Sequence, residues 1–175
     1  EVSVCWGRII SDAKPVGLAL SRQNLQVIDR SKFTSAQGAA KGAYILAYGD
    51  NSEPKKCDVI LIATGSEVSL ALAARDKLTS EKIKAQVVSA PSLEWFMEQP
   101  ESYRNEVLPK GIKARVSIEA GVAQSWYKFI GDNGVAVSLE HFGASASASI
   151  LFKEFGFTIE RIVSAAKESI KNVNG

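Results

Sequence analysis

Residues 58–78, DVILIATG (58–65) followed by SEVSLALAARDKL (66–78), decide the fold. Val59 to Ala63 are uninterrupted apolar residues. Such a run suits a strand buried on both faces, since a strand with one wet side alternates apolar and polar positions. Thr64, Gly65 and Ser66 break the run. The Ala- and Leu-rich segment behind them is predicted helical, with Ser66 near its N-cap and Glu67 in its first turn. Strand, tight turn and helix make the first half of a βαβ unit around a central parallel strand. Ligands in such sheets gather at the carboxyl ends of the strands. Gly65 and Ser66, with backbone N–H groups at a helix start, are therefore a candidate anion-binding site. The competing reading is a plain helix cap, because every helix start needs one. The turn matches neither GxGxxG nor a Walker loop.

Ahead of this unit, Ala43 to Tyr48 is predicted as a strand, and GDNSEP (49–54) as a turn that returns the chain antiparallel into Asp58, leaving an antiparallel edge. Beyond it, Ala85–Ala90 is a strand, Leu93–Met97 and Pro100–Leu108 are helices, and Arg115–Ile118 is a strand ending at Glu119-Ala120-Gly121. A helical segment carrying Trp126, Tyr127, Phe129 and Ile130 and a turn at residues 131–134 lead into a strand over Val135–Leu139. Ser145 or Ser147 caps the next helix, and Gly156 stops it. Thr158 caps the last, whose Ile159, Ile162, Val163, Ala166, Ile170 and Val173 form one stripe. Alternating strands and helices predict a three-layer α/β/α domain over residues 43–175.

Upstream, Val2, Cys5, Trp6, Ile9 and Ile10 mark one face of an amphipathic helix that already runs at residue 1, which predicts a fragment of a larger protein. Val16–Leu20 is predicted as a short strand delivering Ser21, Arg22, Gln23 and Asn24 at its carboxyl end. Residues 26–42 lose periodicity and mix polar residues with Gly38 and Gly42, as a linker does rather than a core. The expected organisation is thus a stub of a second α/β domain at 1–30, a linker at 31–42 and a complete domain at 43–175.

The formal charge of +2, from 21 basic and 19 acidic residues, shows no basic concentration that nucleic acid or an anionic membrane would select, so neither partner is expected. Cys5 and Cys57 lie in separate segments and no signal peptide is visible, which fits a reducing cytoplasm. His141 is the only histidine, which excludes a two-histidine metal site. It reads either as a crevice imidazole beside Glu140 or as a structural residue. Glu119 suits a general base or a cap for the following helix. The cluster Trp126, Tyr127, Phe129 fits core or a subunit contact. No catalytic residue and no metal ligand is assigned. Arg22, flanked by hydroxyl and amide side chains, offers paired N–H donors to a phosphate, or a salt bridge across a domain interface.

Several stretches carry a family resemblance. LALSRQNL (18–25) resembles the transketolase segment that closes the pyrimidine-binding domain, and GAYIL (42–46) the entry into the C-terminal domain. DVILIATGSEVSLAL (58–72), AQVVSAPSLEWF (85–96), RVSIEAGVAQSWYKFIG (115–131) and EHFGASASASILFKEFGFT (140–158) follow in the same order. The resemblance implies a mixed, mostly parallel five-stranded sheet. It also implies an enzyme that moves a two-carbon ketol unit between ketose phosphate and aldose phosphate, using thiamine diphosphate and a divalent metal ion (Mg or Ca), as a homodimer. In the family the arginine of SRQN binds the substrate phosphate, which falls on Arg22. The cofactor motif lies upstream of the matching residues, so this fragment is expected to bind no cofactor and to be inactive alone. Gly131-Asp132-Asn133 resembles the start of the thiamine diphosphate motif but lacks its third glycine and its downstream Asn. A dihydroxyacetone synthase type of enzyme and a regulatory anion-binding or association module are the alternative readings.

Overall fold

The computed structural model describes residues 1–50 and 56–175. Five strands, β1 (Tyr44–Ala47), β2 (Val59–Ala63), β3 (Ala85–Ser89), β4 (Arg115–Ile118) and β5 (Val135–Val137), form one sheet in the order β1-β3-β2-β4-β5. β2, β3, β4 and β5 are parallel, and β1 is antiparallel to β3 at the edge. The expected antiparallel edge is present, but β1 lies beside β3 and not beside the strand that begins after Asp58. Part of the GDNSEP turn lies outside the described residues.

β2 shows why the sheet has helices on both faces. Its residues alternate in direction with the strand period. Val59, Leu61 and Ala63 join a core with Val68, Ala71 and Leu78 of α2 (Glu67–Ser80) and Ile162, Ala165 and Ala166 of α7 (Ile159–Asn174). Ile60 and Ile62 point the other way, into a second core with Phe96 of α3 (Leu93–Met97), Val107 of α4 (Glu101–Val107) and Phe129 of α5 (Tyr127–Ile130). Each such aliphatic side chain contributes about 1.5–3 kcal/mol on burial. Gly42 feeds β1 at φ 87°. A Cβ there would stand 2.3 Å from both the Phe96 nitrogen and the Ser92 oxygen, so only glycine permits this approach to α3.

Thr158 caps α7 as expected, its Oγ1 accepting from the Arg161 N–H at 3.2 Å. Ser147 stands at the start of α6 (Ala148–Glu154) with no side-chain cap bond, and Gly156 takes φ 79° behind it. The helical segment after β4 is split into a 3-10 turn, Ala123–Trp126, and α5. No helix among the described residues is long and apolar enough to cross a membrane.

Two upstream expectations are corrected. Residues 16–20 form no strand: neither sheet edge pairs with them, and an extended segment without a ladder partner stays irregular and exposed. Residues 26–42 do contribute to the core. Ala36–Lys41 is a 3-10 helix, Ala39 is fully buried, and Thr34 bonds to β1 through N–H to Leu46 O (3.1 Å) and Oγ1 to Ile45 O (2.6 Å). Polar composition concealed this, because small alanines and backbone bonds do the packing. The amino-terminal helix α1 (Val2–Asp12) buries Cys5 and lays Arg8 over the Trp95 ring at 4.5 Å, with a bond to the Ala40 carbonyl.

Candidate site at the carboxyl ends of the strands

After β2 the chain adds β3 on one side, then crosses back to place β4 on the other. The crevice of an open α/β sheet lies at such a reversal. Here it falls between the turn after β2, Thr64–Glu67, and the turn after β4, Glu119–Gly121. Gly65 turns the chain at φ 54°, and a Cβ on it would stand 3.9 Å from Ser21 Oγ. The fold therefore brings the Ser21–Asn24 stretch against Gly65, uniting two segments that are separate in sequence.

Glu67 is 5% exposed. Burial raises its carboxyl above the ordinary 4.5, and the nearby charge of Glu119 pushes the same way. Its own backbone N–H, the Ala120 N–H and the Ser66 hydroxyl (3.2 Å) oppose that by donating to the carboxylate. Ser66 was expected to cap α2, but its side chain makes no cap bond and serves Glu67 instead. Thus α2 keeps its positive end covered by a carboxylate of its own first turn. An external anion at Gly65 and Ser66 would meet Glu67 and Glu119.

Glu119 accepts a hydrogen bond from Nε1 of the buried Trp126, so it anchors an indole. The cap expected of it comes from Glu140, whose Oε1 accepts from the Ala123 N–H at 2.9 Å. That bond, with one from Ser138, holds the Glu140 carboxyl below its ordinary range. His141 is exposed, its Nδ1 2.8 Å from Phe142 O and its ring edge-on to Phe155 at 4.9 Å. Trp126 and Phe129 are core, whereas Tyr127 is exposed.

Arg22 sits in an exposed bend rather than at a strand end, and makes no hydrogen bond or ion pair with any described residue. Among the described residues Arg22 forms no salt bridge. Among the described residues no group of three or more His, Cys, Asp or Glu side chains could hold a metal ion. The Gly131-Asp132-Asn133 turn shares its surroundings with Lys110, Lys113 and Arg115, which repel a divalent cation. These residues do not fit a metal-bound diphosphate. Sequence reasoning missed the Glu67–Glu119 proximity, which arises only when the ends of β2 and β4 are side by side.

Fold and crevice together define a three-layer α/β/α domain with an unpartnered arginine beside its strand ends and no metal-binding cluster among the described residues. The family model described as "Transketolase-like TK C-terminal domain" matches residues 42–158, and the chain belongs to the transketolase family. It is 48% identical over 175 residues to a transketolase of Mycobacterium leprae, covering 98% of this chain and 25% of that protein. It is 49% identical over 158 residues to transketolase 1 of Escherichia coli K12, covering 88% and 22%. A transketolase of Pichia stipitis solved in complex with sedoheptulose-7-phosphate superposes with a TM-score of 0.72 at 37% identity, covering 82% of this chain and 20% of that one. The chain thus spans about a quarter of the length of the curated relatives it matches.

Proposed function

We propose that this chain works as the C-terminal part of a transketolase that transfers a two-carbon ketol unit between a ketose phosphate and an aldose phosphate in the pentose phosphate pathway. Residues 1–30 are then the tail of the pyrimidine-binding domain, 31–42 a linker that packs onto the core of the next domain, and 43–175 the C-terminal domain. Thiamine diphosphate and its divalent metal belong to other parts of the enzyme, a cytoplasmic homodimer. This reading also supplies a cover for apolar side chains left open here, among them Trp6, Ile10, Leu25, Val27 and Phe142. The rest of the transketolase chain and the second subunit are the partners that bury them.

The contribution of this chain to the substrate is Arg22, as a ligand for the sugar phosphate. The observation carrying that role is an exposed guanidinium without a partner among the described residues, in a stretch lodged by Ser21 against Gly65. A planar guanidinium meets a phosphate through paired, charge-assisted N–H bonds. Gly65 and Ser66 shape the crevice and seat Ser21. In the full-length enzyme, Arg22→Ala is expected to raise KM for phosphorylated sugars by about 1.5–3 kcal/mol in transition-state terms and to spare unphosphorylated ones. Steady-state kinetics on both substrate types checks this, and an equal loss on both would remove the role.

A further inference from the structure

We propose that the amino ends of the strands carry a second anion site, built from Arg104, Lys110, Arg115 and Lys128 and suited to a small ligand bearing a phosphate group. The four side chains line a chamber of about 230 Å³ whose apolar wall includes Phe96 and Phe129. One carboxylate, Glu101, shares that lining, and it pairs with Lys110.

The other three cations form no ion pair among the described residues, although the charge of Arg104 is felt at Glu101. Arg115 is fixed by backbone oxygens. Its Nε donates to Ile112 O (2.9 Å), Nη1 to Phe129 O (2.6 Å), and Nη2 to Pro109 O (2.8 Å) and Leu108 O (3.3 Å). Carbonyl dipoles orient a guanidinium without cancelling its charge, and burial already presses this one toward deprotonation. Arg104 has the complementary deficit. Its Nε is buried with no hydrogen-bond partner, and its Nη1 reaches only the Met97 sulfur at 3.7 Å. Buried charged donors are costly unless paired. Because protein atoms cover Nε, a phosphate oxygen in the chamber meets Arg104 at its Nη groups, with Lys128 and Arg115 adding positive charge around it.

The chamber is smaller than the ~300–1,000 Å³ usual for drug-sized ligands, which selects a compact molecule. The Phe96 and Phe129 rings, 6.2 Å apart, exclude water on one side and favour an apolar body next to the phosphate. Arg115 begins β4 and Glu119 follows its end, so about 13 Å of strand, at ~3.3 Å per residue, divides this chamber from the Arg22 crevice.

Titrating the ¹⁵N-labelled chain with inorganic phosphate and with phenyl phosphate tests the site. Saturable amide shifts are expected around residues 104–110 and 128–131, with phenyl phosphate the tighter of the two. Arg104→Gln and Lys128→Gln should each weaken binding by about tenfold or more, the loss of one charge-assisted bond, while Arg22→Ala leaves it intact. Lys128 is exposed, so its variant keeps the fold and carries the test if Arg104→Gln does not. Absence of saturable shifts at these amides, wild-type affinity in Lys128→Gln, or shifts confined to residues 21–24 and 64–67 would overturn the assignment.

Discussion

Val59 to Ala63 of β2 are each at most 1% exposed, whereas Ile10 in α1 is 73% and Val27 is 90% exposed, although all are aliphatic. The difference lies in what the chain itself can supply. β2 has a strand on each side and helices above and below, all from residues 67–174. α1 has a stripe of five apolar positions and buries only Cys5 from it. Periodicity therefore states which face is to be covered, and the cover need not come from the same segment of sequence. The sharpest way to break this contrast is a pair of truncations. Leu61→Ala is expected to destabilise the chain by about 2–5 kcal/mol, because it removes buried methyl groups and leaves a cavity that the sheet cannot close. Ile10→Ala should change stability by less than about 0.5 kcal/mol. Urea unfolding of both variants measures this, and a cost for Ile10→Ala near that of Leu61→Ala would mean that α1 is buried in solution.

The same contrast explains what was legible beforehand. The position of β2 is plain because a strand covered on both faces writes an unbroken apolar run, whereas β3 and β4 carry Gln86, Ser89, Arg115 and Ser117 and are marked by their β-branched residues and flanking turns. Val16–Leu20 has a similar run but no adjacent strand edge, and propensity without a ladder partner makes no strand. At the site, Arg22 could be singled out from its neighbours, and Gly65 from the turn it makes. That Ser21 rests on Gly65, that Glu67 lies near Glu119, and that Arg115 donates to the Phe129 carbonyl of α5 are contacts between separate segments. Local pattern contains none of them.

A milder comparison sets the two carboxyl-terminal helices against each other. Thr158 caps α7 with a hydrogen bond, while Ser147 stands at the start of α6 without one. Thr158→Ala should cost about 1 kcal/mol, as N-cap substitutions do, and Ser147→Ala close to nothing. Thermal unfolding separates them. Equal shifts would show that the Thr158 bond contributes nothing beyond its geometry.

The smallest effect is expected at Glu67, which lies where the two regions meet, under the stretch carrying Ser21. Burial raises its carboxyl, Glu119 adds to the rise, and three donors offset part of it. The sign follows from proton uptake. A folded-state value above the ordinary 4.5 means that the folded chain holds this proton more tightly than the unfolded one. The associated stability is complete below 4.5 and is lost as pH rises through the folded value. Glu67→Gln keeps an acceptor for the Ala120 N–H and carries no charge, so it should match the wild type in acid and exceed it at neutral pH. Bound carboxylates elsewhere, Glu81 and Glu140 among them, are shifted downward and make total stability rise with pH below 4.5, beneath the window in which Glu67 acts. The measured quantity is therefore the difference between variant and wild type in denaturant unfolding at a series of pH values. A difference that stays flat from acid to neutral would mean that water reaches Glu67, and that residues 21–24 do not close over the crevice when the chain stands alone.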